Sequence, residues 1–154
     1  MSQHAATADL SSPSSQPEAK PWTRHLATGA RVLLGLAFFV FGLNGFLHFI
    51  PQQGAMPAGA GAFAGALAAT GYMFPLIKGT EVVAGALLLT NRFVPLALTL
   101  LAPILVNIVL FHGILAPSGV ALPLVLLAAE LFLVWSFRDA YRPMLAARAT
   151  TTRA

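Results

Sequence analysis

The chain has 154 residues, of which 57% are hydrophobic and only 9% are charged, and its mean hydropathy is +0.77. Soluble domains carry about 25% charged residues, so this composition indicates an integral membrane protein. There is no cysteine, which excludes disulfides, thiolate metal sites and thiol chemistry carried by the chain itself. The net charge of +4 would suit a nucleic-acid binder, but the positions of the basic residues favour a membrane topology instead, and we predict no nucleic-acid partner.

The N-terminal segment, residues 1–24, is rich in Ser, Ala, Thr and Pro and has almost no large aliphatic side chains. Such a segment cannot bury a core, so we predict a disordered cytoplasmic tail over these residues. No short apolar region followed by a cleavage site begins near Met1, which argues against a secretory signal.

Four apolar blocks follow, at residues 26–50, about 72–90, 93–115 and about 119–137. A bilayer core of about 30 Å takes roughly 20 helical residues to cross. A helix also satisfies its own backbone polar groups, which lipid cannot do. We therefore predict an all-α fold, an integral membrane bundle of four transmembrane helices over residues 25–142. A basic cytoplasmic tail at 143–154 follows it.

The stretch between the first two blocks, "PQQGAMPAGAGAFAGALAATG", consists largely of Ala and Gly. Pro57 suits a helix start and Gly71 a helix stop. We predict a short helix here, lying at the membrane interface or packed on the bundle, rather than a fifth span. Gly61, Gly65 and Ala69 form a row of small residues that would allow close approach of a neighbouring helix.

The orientation of the bundle follows from its basic residues. With four spans, every lysine and arginine except Lys78 falls on one side, and loops rich in these residues stay in the cytoplasm. We predict that both termini are cytoplasmic, that the membrane is a bacterial inner membrane, and that the basic excess is a topology signal with some contact to anionic lipid. The residues on that side are Lys20, Arg24, Arg31, Arg92, Arg138, Arg142, Arg148 and Arg153.

Six polar residues share a depth in the outer half of the first three predicted spans. Two lie at i, i+4 on the first span and two at i, i+3 on the second, so each pair shares one helix face. The two on the third span are five residues apart, about 140° around a straight helix, so only one of them faces the cluster squarely. We predict that these six form a ligand-binding site: Asn44, His48, Lys78, Glu81, Asn107 and His112.

Each of these residues also has a purely structural interpretation. Lys78 and Glu81 can neutralise each other, which lowers the cost of about 2.5–3.5 kcal/mol for an isolated charge in mid-bilayer. The histidines can lie at the membrane interface, and the asparagines can hydrogen-bond between helices. Glu130 lies near the middle of the fourth block, at a different depth, and the sequence identifies no partner for it.

No complete catalytic constellation is present in the sequence. There is no nucleophile elbow, no Gly-rich phosphate loop and no pair of carboxylates at one depth. Neither His48 nor His112 has a histidine companion at i+3 or i+4 on its own helix. A haem held between the two histidines is geometrically conceivable but disfavoured, so we predict no metal site and assign no catalytic residue.

The order and spacing of several motifs over residues 26–142 are similar to the DoxX-like family of small four-helix membrane proteins. The motifs are "GLAFFVFGLNGFLHFIP", an Ala-rich stretch ending in "ATGY", "KGTEVVAGALLLTNRFVPLAL" and "LAPILVNIVLFHGIL". The most characteristic part is Glu81 followed by Gly85, the leucine run 87–89 and Arg92. His112 after "VNIVLF" is the second.

The resemblance implies a membrane subunit associated with oxidoreductases, because the family name comes from a subunit linked to a thiosulfate:quinone oxidoreductase. The family tends to be polar at the positions of the six predicted site residues. Some related membrane proteins work with thiol pairs, and the lack of cysteine argues against that role here.

The first functional hypothesis is a redox-associated subunit whose outer pocket binds a quinone or a similar lipophilic small molecule. Lys78, His48 or His112 would donate hydrogen bonds to a carbonyl, and Glu81 would hold Lys78 in place or relay a proton. Quinone is the one cofactor that this hypothesis suggests. We expect an apolar wall made of Phe46, Phe49 and Phe111.

Two other function classes stay open. One is a permease or channel for a small solute, for which Pro103 and the Gly-rich loop are weak signs. The other is a structural assembly subunit in which the polar residues only hold the bundle together. The expected partners are the lipid bilayer, membrane oxidoreductase subunits and a second copy of the chain.

Overall fold

The computed structural model describes residues 21–51 and 54–145, and the elements in these ranges are all helical. The predicted all-α class is confirmed for this part of the chain, which contains no strand. Residues 1–20 and 146–154, which make up most of the two predicted tails, lie outside the described residues. The helices are α1 (Pro21–Leu47), α2 (Ala58–Ala69), α3 (Met73–Leu89), α4 (Val94–Ile114), a 3-10 turn (Pro117–Gly119), α5 (Ala121–Ser136) and α6 (Arg138–Tyr141).

The two ends of α1 differ from their predicted positions. The helix begins at Pro21, where the missing N–H costs no helical bond, so residues 21–24 of the predicted tail are helical. It ends at Leu47, three residues before the predicted end, because His48 adopts a left-handed conformation with φ of 52°. The Asn44 side chain stabilises this turn, since its Oδ1 accepts a hydrogen bond from the backbone N–H of Ile50 at 2.7 Å.

Helices α1 and α3 form the most extensive interface of the fold, and glycines let their backbones approach closely. A Cβ atom added at Gly85 would lie 2.6 Å from the backbone nitrogen of Phe39. One added at Gly42 would lie 2.9 Å from the backbone nitrogen of Val82. Sequence positions rise along α1 as they fall along α3, so the two helices are antiparallel.

Arg31 on α1 forms hydrogen bonds to the C-terminal end of α3, at one end of this interface. Its guanidinium donates to the backbone carbonyls of Leu88 and Leu89, with the bond to Leu89 measuring 3.3 Å. These carbonyls belong to the last turn of α3, where the regular i to i+4 helical bonds end, and the Leu88 carbonyl also accepts from the backbone N–H of Asn91 at 3.1 Å. A cation is favourable there, because the helix dipole places partial negative charge at the C-terminus.

The four long helices alternate in direction. Tyr141, just after α5, donates a hydrogen bond at 3.0 Å to the carbonyl of Pro95 at the start of α4. At the other end of α4, His112 lies beside Gly119, which precedes α5. The bundle therefore has two distinct ends. We call one the arginine end, because it carries Arg24, Arg31, Arg92, Arg138 and Arg142, and the other the cavity end.

A leucine core lies between the two ends and draws on α1, α3, α4 and α5. The outward faces of the same helices also carry many large apolar side chains. A helix that is apolar on all sides is typical of a membrane span or of a deeply buried position. The fully buried leucines are Leu34, Leu88, Leu98, Leu101, Leu105 and Leu133.

Two described helices are long and apolar enough to cross a membrane, Arg24–Leu47 within α1 and Val94–Ile114, with 24 and 21 residues. Helices α2 and α3 meet the same criterion only as a pair, bent by 92° at the break between them, and α5 is apolar but shorter. Two spans, or up to three, are thus supported by length and composition in the described residues, and they indicate a membrane protein. The predicted count of four is not confirmed. Gly71, with φ of 74°, separates α2 from α3, and a turn at Pro117 shortens α5.

The predicted short Ala/Gly helix is confirmed as α2. The ring of Phe63 on α2 packs 5.7 Å from that of Phe111 on α4. Cβ atoms added at Gly61 and Gly65 would meet nothing within 4 Å. The predicted row of small residues therefore packs against no part of the described chain at these two positions.

Candidate ligand site

An ion pair lies at the cavity end of α3. The Nζ atom of Lys78 is 2.8 Å from Oε2 and 3.1 Å from Oε1 of Glu81, so both carboxylate oxygens accept from it. The Glu81 side chain is 1% exposed and that of Lys78 is 20% exposed. The ammonium also lies 5.8 Å from the centre of the Phe74 ring, within range of a cation–π attraction. The predicted contact between Lys78 and Glu81 is confirmed.

Two positions on α1 make room for this pair. Gly42 faces the Cβ atom of Glu81, and a side chain at Gly45 would overlap the aliphatic stem of Lys78. The close α1–α3 packing therefore runs up to the ion pair itself. The sequence analysis gave neither glycine a role at the ion pair. Their spacing of three residues on one helix is the signal that places them on a shared face.

The first cavity has a volume of about 360 Å³ and lies between α1, α3, α4 and α5 at the cavity end. Its polar groups are Lys78, Glu81 and His112, and the rest of its lining is almost entirely apolar. Small-molecule sites in proteins have this character, with a mostly apolar wall and a few convergent polar groups. The aromatic part of the wall consists of Phe38, Phe41 and Phe111.

The orientation of His112 follows from one hydrogen bond. Its Nδ1 lies 2.9 Å from the backbone carbonyl of Ile108, and a carbonyl can only accept, so Nδ1 carries the hydrogen. The other ring nitrogen, Nε2, is left to interact with a ligand. A Cβ atom added at Gly119 would lie 3.3 Å from Nε2 and 2.8 Å from Cδ2. Gly119 therefore leaves the space that the imidazole occupies, a role that sequence reasoning missed.

Replacing Gly119 by alanine should displace the His112 ring, because the new methyl group would overlap Cδ2. The matched control is Gly113→Ala, since a Cβ there meets nothing within 4 Å. We expect the imidazole ¹⁵N resonances of His112, assigned by their loss in His112→Ala, to shift in Gly119→Ala and to stay in place in Gly113→Ala. Unchanged resonances in Gly119→Ala would show that residue 119 does not position the ring.

A second cavity, with a volume of about 450 Å³, lies between α2, α3 and α4. Lys78 and Glu81 line it as well, so the ion pair reaches both cavities. Ile108 and Phe111 also line both cavities. Asn107 is the additional polar residue of the second cavity.

The structure places four of the six predicted site residues in these cavities. Lys78 and Glu81 line both, His112 lines the first, and Asn107 lines the second. Asn107 and His112 thus face different cavities on the two sides of the ion pair, as expected from their angular separation on α4. The structure shows where these four residues lie. That they bind a ligand stays a prediction.

Asn44 and His48 line neither cavity, so the structure does not bring them together with Lys78, Glu81 and His112 in a cavity. The argument from i, i+4 spacing required a continuous helix, but α1 ends at Leu47 and His48 is an exposed residue of the following turn. Asn44 instead caps the end of the helix through Ile50. Position 48 is a histidine in a left-handed conformation. Nothing in the sequence indicated this, because the residue is not a glycine.

The expected aromatic wall needs a similar correction. Phe46 and Phe49 are exposed and line neither cavity, whereas Phe111 does line both. Phe38 and Phe41, one to two turns earlier on α1, take their place in the first cavity. Phe38 precedes Gly42 by one helical turn and so lies on the face that packs against α3, which is the signal that would have identified it.

Glu130 on α5 is 3% exposed, and its Oε1 atom has no hydrogen-bond partner among the described residues. It lines neither cavity, although Leu126, one turn earlier on the same helix, lines the first. A buried polar atom without a partner costs free energy. The Oε1 atom of Glu130 therefore adds no hydrogen bond that would stabilise the described part of the bundle.

No group of three or more histidine, cysteine, aspartate or glutamate residues lies close enough to hold a metal ion within the ranges 21–51 and 54–145. The polar groups of the first cavity are instead suited to a small organic molecule, because the Lys78 ammonium can donate to an oxygen and the Nε2 atom of a neutral His112 can accept from a hydroxyl. Comparison of the chain with protein-family models, curated proteins and solved structures finds no match.

Proposed function

We propose that this chain is a DoxX-like, redox-associated membrane subunit whose first cavity binds a quinone or a similar lipophilic carbonyl compound. The observation that carries the proposal is the meeting of Lys78, Glu81 and His112 in a cavity that is otherwise apolar and partly aromatic. The motif order that is similar to the DoxX-like family adds to it. The lack of cysteine argues against a thiol-based role for the chain.

The proposal includes four membrane spans, with α3 and α5 crossing beside α1 and α4. Helix α3 has 17 residues, about 25 Å at 1.5 Å per residue, close to a bilayer core of about 30 Å. Both shorter helices carry exposed large apolar side chains, such as Leu76 and Val83 on α3 and Leu124 and Leu131 on α5. These faces suit contact with lipid. The arginine end would then be cytoplasmic.

The polar groups of the first cavity match the chemistry of a quinone carbonyl. Lys78 can donate a hydrogen bond to the carbonyl oxygen of the quinone, while the Glu81 carboxylate holds the ammonium group in place. Because the Nδ1 hydrogen of His112 is donated to Ile108, the Nε2 atom can accept a hydrogen bond from the hydroxyl of the reduced quinone. The aromatic wall can stack on the flat ring. Exposed Phe41 and Leu122 border the cavity and would let an apolar tail leave towards the lipid.

The proposal is tested by the thermal stability of the purified protein in mild detergent with a panel of quinones. A quinone at about 100 times its Kd adds about 2.7 kcal/mol, which corresponds to a Tm increase of at least about 5 °C. We expect this increase in the wild type and its loss in Glu81→Gln and His112→Ala.

Two matched variants serve as controls. Glu130→Gln changes another buried glutamate, and His48→Ala another histidine, and neither residue lines the cavities. Both variants should keep the quinone response. A wild type whose Tm does not change with any quinone in the panel would argue strongly against the proposal.

The second cavity favours one alternative, a permease for a small polar solute. Lys78, Glu81, Ile108 and Phe111 line both cavities, so a solute could pass the ion pair if Ile108 and Phe111 moved. Flux into proteoliposomes discriminates between the two functions. Transport that Phe111→Trp blocks, together with no stabilisation by quinones, would favour the permease.

A further inference from the structure

A third cavity lies at the arginine end, far from the ion pair. Its volume is about 320 Å³, and its lining comes from α1, from the turn between α3 and α4, and from the end of α5. Arg24, Thr28 and Arg31 follow each other at one-turn intervals on α1 and therefore share a face. The cavity is completed by Ala27, Asn91 and Phe137.

The charge of this cavity is positive. Within the described ranges, neither Arg24 nor Arg31 lies within 4.0 Å of a carboxylate, and the one aspartate at this end, Asp139, pairs with Arg142 at 3.2 Å. Arg31 is held by the carbonyls at the end of α3, so its guanidinium has a fixed position.

The remaining polar groups divide into those that can donate to a ligand and those that cannot. The Thr28 hydroxyl donates to the carbonyl of Arg24 at 3.0 Å, so its hydrogen is already used. Asn91, with φ of 56°, stands exposed in a left-handed turn and can present its amide N–H₂ group. Arg24 is exposed and can turn its guanidinium into the cavity. The available donors are thus two guanidinium groups and one amide, with no described carboxylate to compete.

We propose that this cavity binds a phosphate group, either the headgroup of an anionic phospholipid or a free phosphate ion. Guanidinium groups bind phosphate oxygens through paired, charge-assisted hydrogen bonds. Arg31 supplies a rigid donor and Arg24 a mobile one, while Asn91 contacts the same anion from the turn. The site is independent of the ligand in the first cavity, since Lys78, Glu81 and His112 have no part in it.

The location favours the phospholipid source. If the bundle spans a membrane, the arginine end lies at the level of the headgroups, where tryptophan is enriched. Trp22 and Trp135 are both exposed at this end, and the Trp135 ring stacks under Arg138 at 5.0 Å. Basic clusters at the cytoplasmic surface attract anionic lipid in general. The third cavity adds a defined position for one such headgroup.

The test is native mass spectrometry of the full chain in detergent micelles, titrated with phosphatidylglycerol, phosphatidylcholine or inorganic phosphate. We expect phosphatidylglycerol to bind at least about tenfold more tightly than phosphatidylcholine. Arg24→Gln should weaken this binding about tenfold, the loss expected for one charge-assisted hydrogen bond. The matched control is Arg142→Gln, which removes an arginine of the same end that lies outside the cavity and should change binding less than about twofold.

Each outcome decides the proposal. Binding of either phosphatidylglycerol or inorganic phosphate that falls in Arg24→Gln but not in Arg142→Gln supports it, and the comparison of the two probes identifies the source of the phosphate. Equal losses in Arg24→Gln and Arg142→Gln would overturn it, because the effect would then be one of net charge. Equal binding of phosphatidylglycerol and phosphatidylcholine that Arg24→Gln leaves unchanged would also overturn it, as would no binding of any of the three probes.

Discussion

Replacing Glu81 by leucine should lower the free energy of unfolding by about 3 kcal/mol, because it leaves the Lys78 ammonium without a counter-charge. Lys78 then loses both of its hydrogen bonds while four-fifths of its side chain stays out of contact with solvent. The measurement is reversible unfolding of the purified protein in mixed micelles, followed by the loss of helical circular dichroism.

Two further variants separate the charge effect from a general effect of the mutation. Lys78→Met with Glu81→Leu removes the pair as a unit and should recover most of the lost stability, since apolar replacements of buried ion pairs are often neutral or stabilising. Glu130→Leu removes a carboxylic group with an unpartnered Oε1 and should be neutral or stabilising. An equal loss in Glu81→Leu and Glu130→Leu, or no recovery in the double variant, would contradict this account of the pair.

Replacing Gly85 by alanine should destabilise the fold by about 3 kcal/mol, at the upper end of the usual cost of overpacking. The added methyl group would lie 2.6 Å from the backbone nitrogen of Phe39 and 2.9 Å from the carbonyl oxygen of Gly35. Both obstacles are backbone atoms of α1, so no rotamer change relieves the clash and the two helices must move apart. Unfolding in the same micelles measures the effect.

Gly79→Ala is the control for this prediction, because it makes the same change on the same helix. A Cβ atom at position 79 meets nothing within 4 Å, and alanine favours a helix over glycine by up to about 1 kcal/mol. We expect this variant to be neutral or slightly more stable than the wild type. If Gly85→Ala behaved like Gly79→Ala, the backbones of α1 and α3 would not be in the close contact described.

Hydrophobic length and composition were enough to predict the all-helical fold of the described residues, and the Ala/Gly content between Pro57 and Gly71 predicted the short helix α2. The ends of the helices were harder to predict, because they depend on single turns. Helix α1 ends where His48 adopts a left-handed conformation, in a turn that Asn44 stabilises. No residue pattern predicted this turn. The number of spans has the same weakness, since α3 and α5, with 17 and 16 residues, are each just short of the length of a span.

The site shows which contacts a single sequence can predict. Lys78 and Glu81 lie on one helix, where the spacing of three residues determines that they meet. Contacts between helices depend instead on rotation and register. For this reason Phe38 and Phe41 were missed, and His48 was placed beside residues that it does not reach. The glycines on α1 that face α3 contain this register information, because they mark the face of closest approach.

The most direct test of the central claim is to identify what the first cavity holds when the protein is extracted from its membrane. Wild-type chain purified in mild detergent and analysed by mass spectrometry should retain a quinone or a similar lipophilic carbonyl compound. The same preparation of Glu81→Gln or His112→Ala should lose that compound, while His48→Ala should keep it. Recovery of no such molecule with the wild type, or of equal amounts with all four proteins, would contradict the assignment of a ligand to Lys78, Glu81 and His112.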